Sequence, residues 1–492
     1  MNPLKQLAGQ TVIYGFSSVG ARIINFLLVP FYTRIFTDAA EYGIVNELYA
    51  YVAFFIIILT YGMETAFFRF SSKSNEPDLV YSTALKSIIF TSVIFTLLIW
   101  FFYPQIALKI GYEDQKIFVL LLGMVLSVDA VASIPFARLR LRNSALKFAL
   151  IKLFNICINV FFNIFFLLII PWFLENEINI GFIGNLYDEN FRVGYVFISN
   201  LIASCLTLLW FLKDIVSSGY KFSMRLLKSM LFYAFPLLIA GLAGTVNEVL
   251  DRIMLRHRLP ADVDALEQIG IYGANVKIAV LMTLFIQMFR YASEPFFFSQ
   301  EKNKNSKVLY ATVLYYFVIA GVFVFLIIAL YIDLFKHIIG SDYHEGIKVV
   351  PVILLGNLML GIYFNLSVWY KLRELTVFGA VFAFCGALVT ILVNYYLIPH
   401  YGYMASAWGH LLSYSFMVLL SYFVGRMYFQ IPYNVKMILF YLICGIGFYL
   451  ISEIIKIEGN FYRLTLNTLF IVIFTVIVII NERGKLSEIL KS

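Results

Sequence analysis

YGIVNELYAYVAFFIIILTYGMETAFFRF, residues 42–70, and YGANVKIAVLMTLFIQMFRYASEPFFFSQ, residues 272–300, are two versions of one segment. Aligned without gaps they share eight identities in 29: Tyr42/Tyr272, Gly43/Gly273, Phe55/Phe285, Ile56/Ile286, Tyr61/Tyr291, Glu64/Glu294, Phe67/Phe297 and Phe68/Phe298. Chance in so apolar a composition supplies about two, so the chain carries an internal duplication. The register extends past the segment. Ile110-Gly111 matches Ile339-Gly340 at an offset of 229, while Leu141-Arg142 matches Leu372-Arg373 and Asn163 matches Asn394 at 231.

Each version is long and apolar enough to cross a bilayer. The whole chain is of that kind. With 61% hydrophobic, 18% aromatic and 13% charged residues over 492 positions, it is too apolar for a soluble protein and reads as an all-α polytopic membrane protein. Fourteen spans are expected, near 9–36, 42–70, 83–104, 117–136, 148–172, 193–213, 227–254, 270–298, 308–332, 347–370, 375–398, 403–426, 436–455 and 462–481. Residues 1–10 lack a small-residue cleavage site and are read as leading into an uncleaved first helix. Spans 1–6 and 7–12 form two copies of a six-helix unit. An even span count per copy makes the repeats parallel, related by an axis along the membrane normal. The implied lobes are 1–217 and 218–430, with 431–492 an appended helix pair and tail.

The net charge of +8 follows loop placement, which removes nucleic acid from the candidate partners. With the N-terminus inside, 23 Lys and Arg fall in cytoplasmic loops and flanks, 11 outside and three within spans. Both termini are therefore placed in the cytoplasm, with the 138–152 basic cluster the strongest vote. Cys157, Cys205, Cys385 and Cys444 lie in apolar runs without metal-like spacing and are expected to be buried thiols. The five His show no ligand spacing, and no glycine-rich nucleotide loop is present. No cofactor is expected.

Thr33-Arg34-Ile35-Phe36, Glu41-Tyr42-Gly43 and Tyr61-Gly62-Met63-Glu64 resemble the opening of the Wzx-type polysaccharide-biosynthesis flippases of the MOP exporter superfamily. That superfamily also holds lipid II flippases and MATE exporters, and the 6+6+2 helix plan is similar over the full length. The resemblance implies a V-shaped transporter in the bacterial inner membrane. It also implies a polyprenyl-diphosphate-linked oligosaccharide as substrate, flipped to the outer leaflet for O-antigen, capsule or exopolysaccharide. Membrane lipids, and transient association with other polysaccharide-assembly proteins, complete the implied partners. H⁺ or Na⁺ coupling is not legible. Two other classes stay open: a membrane polymerase or ligase, which the short loops disfavour, and a MATE-like small-molecule antiporter, which basic residues in the central helices disfavour.

Ionisable groups inside spans are costly and mark function or pairing. Arg22, Lys277 and Arg290 are the diphosphate-binding candidates, since guanidinium grips phosphate oxygens bidentately and ammonium acts as a point charge. Glu47, Glu64, Asp129, Glu248, Asp251 and Glu294 are the cavity or coupling carboxylates. Set against these roles are ordinary pairings: Arg290 with Glu294 one turn on, Glu64 and Glu294 with loop bases, Asp251 with Arg252, and Asp129 with neighbouring hydroxyls. The repeat also puts Glu47 where the second copy has Lys277, which suggests opposite charges attracting across a cavity.

Overall fold

The computed structural model describes residues 20, 23–24, 26–142, 144–178, 181, 184–185, 187–217, 219, 221–300, 305–455 and 459–489. Among these, structure is almost wholly helical and no strand occurs. Among the described residues twelve helices are long and apolar enough to span, and a bent pair makes a thirteenth. The first expected span falls largely outside the described residues, which show only its end, α1 (Phe26–Ile35).

Two compact units emerge, 1–256 with 264–270, and 257–263 with 271–492. The first contains α2 (Ala39–Thr60), α3 (Met63–Lys73), α4 (Pro77–Ile110), α5 (Ile117–Leu141), α6 (Ala145–Ile164), α7 (Ile170–Glu175), α8 (Arg192–Trp210) and nearly all of α9 (Met224–Arg258). The repeat places α9 at the head of the second copy, yet it packs with the first unit. Its Leu227, Met230 and Ala234 join Met63, Phe67, Tyr81, Leu85, Leu126 and Ile134 in one core.

Local sequence explains how α2 meets its neighbours. Asp38 caps the helix by accepting from the Ala40 amide at 2.9 Å. A side chain at Gly43 would collide with the Leu266 carbonyl, and one at Gly270 with that of Ala39, so two backbones touch here. Span 2 then breaks. Tyr61 and Gly62 both adopt left-handed φ, 34° and 68°, and a Cβ on Gly62 would sit 3.0 Å from the Ala234 carbonyl.

The second unit is built from α10 (Ala265–Ile278, its first turns in unit one), α11 (Val280–Ser299), α12 (Ser306–Leu330), α13 (Ile332–Phe335), α14 (Val350–Leu366), α15 (Val368–Leu372), α16 (Val377–Tyr401), α17 (Tyr403–Tyr428), α18 (Val435–Ile454) and α19 (Asn460–Ile489). Phe297, Tyr310, Tyr363, Trp369, Phe382 and Tyr414 form an aromatic core. Here Ala292 stands where the first copy has Gly62, and the break moves upstream, α10 and α11 meeting at 43°. The Asn357 amide donates to the Ala279 carbonyl at the break, 3.1 Å, and His410 bonds the Asn357 oxygen at 3.1 Å. A freed carbonyl in a span needs such a partner.

The cysteines correct an expectation. Cys157 and Cys205 are exposed, Cys385 and Cys444 half-buried, and all four are free. Apolar sequence in a spanning helix faces lipid as readily as protein, so apolar flanks do not imply burial.

Candidate functional site

Two charged clusters sit near the ends of spanning helices, one in each unit. In the first, Arg140 near the end of α5 forms an ion pair with Glu64 in the first turn of α3. Its guanidinium stacks over Phe68 at 5.2 Å, and its Nε is buried without a partner among the described residues. Lys152 on α6 lies 4.4 Å from the Phe136 ring centroid and feels the charges of Asp129, Arg140 and Glu64. Asp129 is accessible, has Ser204 as a hydrogen-bond partner and feels the charge of Lys152. Two bases therefore offset two acids.

In the second unit, Glu294 on α11 accepts from Lys371 of α15 at 2.6 Å and from Arg290, one turn back, at 3.2 Å. Arg290 also stacks over Phe364 at 4.6 Å. The balance differs here. Two cations surround one carboxylate, and they line a cavity of about 20 Å³ together with Ser293, Phe289, Phe364 and Asn365, room for about one water. The Asn365 side-chain oxygen is buried and has no partner among the described residues, so the pocket presents an acceptor beside two donors.

The clusters are copies of each other. Glu64 and Glu294 are identical positions of the repeat, and at the 231-residue offset Arg140 corresponds to Lys371. Each unit thus joins the second and fourth helices of its repeat by one carboxylate and one base.

The model for polysaccharide biosynthesis proteins matches residues 7–301. The chain belongs to the polysaccharide biosynthesis protein family. Among solved structures, the lipid II flippase MurJ in an inward closed conformation is similar at 17% identity and TM-score 0.71, covering 96% of this chain and 99% of MurJ. An inward-facing MATE multidrug transporter is similar at 13% identity and TM-score 0.62, covering 85% and 94%. A MOP superfamily transporter from Pyrococcus furiosus is similar at 12% identity and TM-score 0.57, covering 87% and 96%. Comparison with curated proteins finds no match. This polysaccharide biosynthesis protein therefore has the MOP transporter fold.

The remaining candidates divide by location. Arg22 lies outside the described residues. Lys277 is half-buried two residues before the span-8 break. Glu248 is exposed on α9, while Asp251 is buried against Arg252 at 3.0 Å. Glu47 is fully buried, and within the first unit it meets Tyr112 and Arg256. The Tyr112 hydroxyl donates to one carboxylate oxygen at 2.6 Å, and Arg256 Nε stands 3.7 Å away. Burial, then the charge of Glu47, hold the Tyr112 phenol well above its ordinary range and keep it a donor.

Sequence reasoning placed Arg140, Lys152 and Lys371 in cytoplasmic loops and so missed them as site residues. For Arg140 and Lys371 the signal was present in the repeat, one position before the matched Leu141-Arg142 and Leu372-Arg373 pairs. Tyr112 and Arg256 gave no comparable signal, because their contacts with Glu47 are long-range.

Proposed function

We propose that this family member is a flippase carrying a polyprenyl-diphosphate-linked oligosaccharide from the cytoplasmic to the outer leaflet of the bacterial inner membrane, for O-antigen, capsule or exopolysaccharide assembly. Both termini face the cytoplasm, and the cycle uses no bound cofactor. The observation that carries the reading is the surplus positive charge of Arg290 and Lys371 over Glu294 where the eighth and tenth spans end. Arg290 offers a planar fork and Lys371 a mobile point charge, which suits the two phosphoryl groups of a diphosphate. The buried Asn365 oxygen adds a hydrogen-bond acceptor beside the two cations. Family membership and the MOP fold support transport over catalysis.

The test is flipping of a fluorescent short-chain lipid-linked oligosaccharide in proteoliposomes. Lys371→Ala and Arg290→Ala are each expected to slow it at least tenfold with protein levels unchanged. Wild-type rates in both variants would remove the diphosphate from this cluster.

A further inference from the structure

We propose that the first unit holds a resident glycerophospholipid, one acyl chain inserted among α2, α4 and α5 and its phosphate resting on Arg256. An apolar crevice of about 200 Å³ lies between these helices, lined by Leu48, Val52 and Phe55, by Ile99, and by Leu122 and Leu126 among others. A dry apolar cavity of about 150 Å³ is enough to hold benzene, so this volume accepts a length of hydrocarbon chain. Its lining on α4 runs from Phe95 to Ile110, about 22 Å of helix, more than half the ~30 Å hydrocarbon core. Gly123 lets α4 and α5 approach closely, since a Cβ there would meet Ile99 at 2.6 Å.

One end of the crevice is polar. Leu48 adjoins Glu47, and Ile110 adjoins Gly111 and Tyr112, the residues that gather around Arg256. Tyr51, itself in the lining, lies within the electrostatic reach of both Glu47 and Arg256. Arg256 uses Nε toward Glu47 at 3.7 Å and Nη2 toward the Gly111 carbonyl at 3.5 Å, leaving Nη1 without a partner among the described residues. Charge at a span end and hydrocarbon below it are the two halves of an amphiphile's site. The charge selects which amphiphile. A single guanidinium that already faces a carboxylate at 3.7 Å has one nitrogen left to offer, which suits one phosphodiester.

The experiment uses the full chain in nanodiscs containing phosphatidylglycerol with a mid-chain diazirine, with photo-adducts mapped by mass spectrometry. Adducts are expected on buried Leu122 and Leu126 as well as on lipid-facing Leu97 and Phe101. Filling the crevice with Val52→Trp should cut the Leu122 and Leu126 adducts at least fivefold and leave the other two unchanged. Arg256→Gln should cut them about threefold. Should Val52→Trp fail to fold, the wild-type pattern and a competition decide. Labelling confined to Leu97 and Phe101 means ordinary annular lipid and overturns the proposal. Displacement of the Leu122 and Leu126 adducts by equimolar polyprenyl diphosphate assigns the crevice to a substrate tail, which also overturns it. Equal labelling by a diazirine diacylglycerol, which lacks phosphate, removes the Arg256 contact and with it the proposed ligand.

Discussion

Glu64–Arg140 and Glu294–Lys371 are partly exposed pairs, each side chain between 28% and 37% accessible. Such pairs contribute about 0–1 kcal/mol, so removing one charge should leave folding nearly intact. The two copies already use different bases at one position. Arg140→Lys and Lys371→Arg are therefore expected to retain at least half of wild-type transport, whereas Lys371→Glu should abolish it while insertion persists; flipping rates normalised to protein content check this. Glu47 behaves differently because it is fully buried. Tyr112→Phe deletes a charge-assisted bond to that carboxylate and should cost about 1.5–3 kcal/mol, read as a lowered unfolding midpoint in detergent. A change below about 0.5 kcal/mol would mean that water replaces the hydroxyl. The repeat made Glu64 and Glu294 legible as a matched pair. It could not show that Glu47 meets Tyr112 and Arg256, because an offset equates positions in two copies and carries no information about which side chains meet.

Span lengths were legible because a bilayer demands long apolar helices whatever their neighbours. Breaks within them were less so. Tyr61-Gly62 announces one, since glycine adopts left-handed φ freely. The break at Ala279 has no glycine or proline, and only its partners Asn357 and His410, far along the chain, reveal it. Asn357→Leu leaves the Ala279 carbonyl without its described donor and should destabilise the second unit by about 1–3 kcal/mol, measurable by thermal unfolding. The appended pair α18–α19 is held to α12 and α13 by polar contacts toward both ends. Tyr315 and Tyr316 donate to the buried Glu482 near one end. Near the other, Arg463 pairs with Asp333 at 2.7 Å and Asn467 donates to the Leu330 carbonyl at 2.6 Å. Burial raises the Asp333 pKa, but the Lys336 bond and the charges of Arg463, Lys336 and His337 outweigh it and leave it below the usual carboxylate range. A depressed folded pKa gives stabilisation that is present above the unfolded value, about 3.9, and lost as pH falls through the folded one. Hydrogen exchange over residues 461–470, corrected for intrinsic rate, should therefore quicken below about pH 4. Asp333→Asn should show the quickened exchange already at pH 6.

At the scale of the whole molecule, the duplication and the membrane class could be read from sequence, while the packing of α9 with the first unit could not. Repeat boundaries follow ancestry, and packing follows which apolar faces find each other. The proposed orientation rests on the loop charges, and it sets the direction in which a substrate's charge would cross the field. An anion moving outward across an inside-negative membrane gains about 2.3 kcal/mol per charge per 100 mV if it crosses the full field. What crosses is the substrate's charge together with whatever part of the site moves with it. Arg290 and Lys371 against Glu294 leave a formal surplus of one positive charge. A diphosphate near −2 bound there would leave about −1 to move, and collapsing a 100 mV potential should then slow outward flipping several-fold. Lys371→Ala removes the surplus and leaves about −2. Its residual transport, though slow, is expected to depend on voltage roughly twice as steeply. Proteoliposomes clamped with potassium and valinomycin measure both slopes. Equal slopes in wild type and variant would show that the cluster does not travel with the substrate through the field. Rates that follow a pH gradient and ignore voltage would mean that protons compensate the diphosphate, and the uncompensated anion would have to be given up.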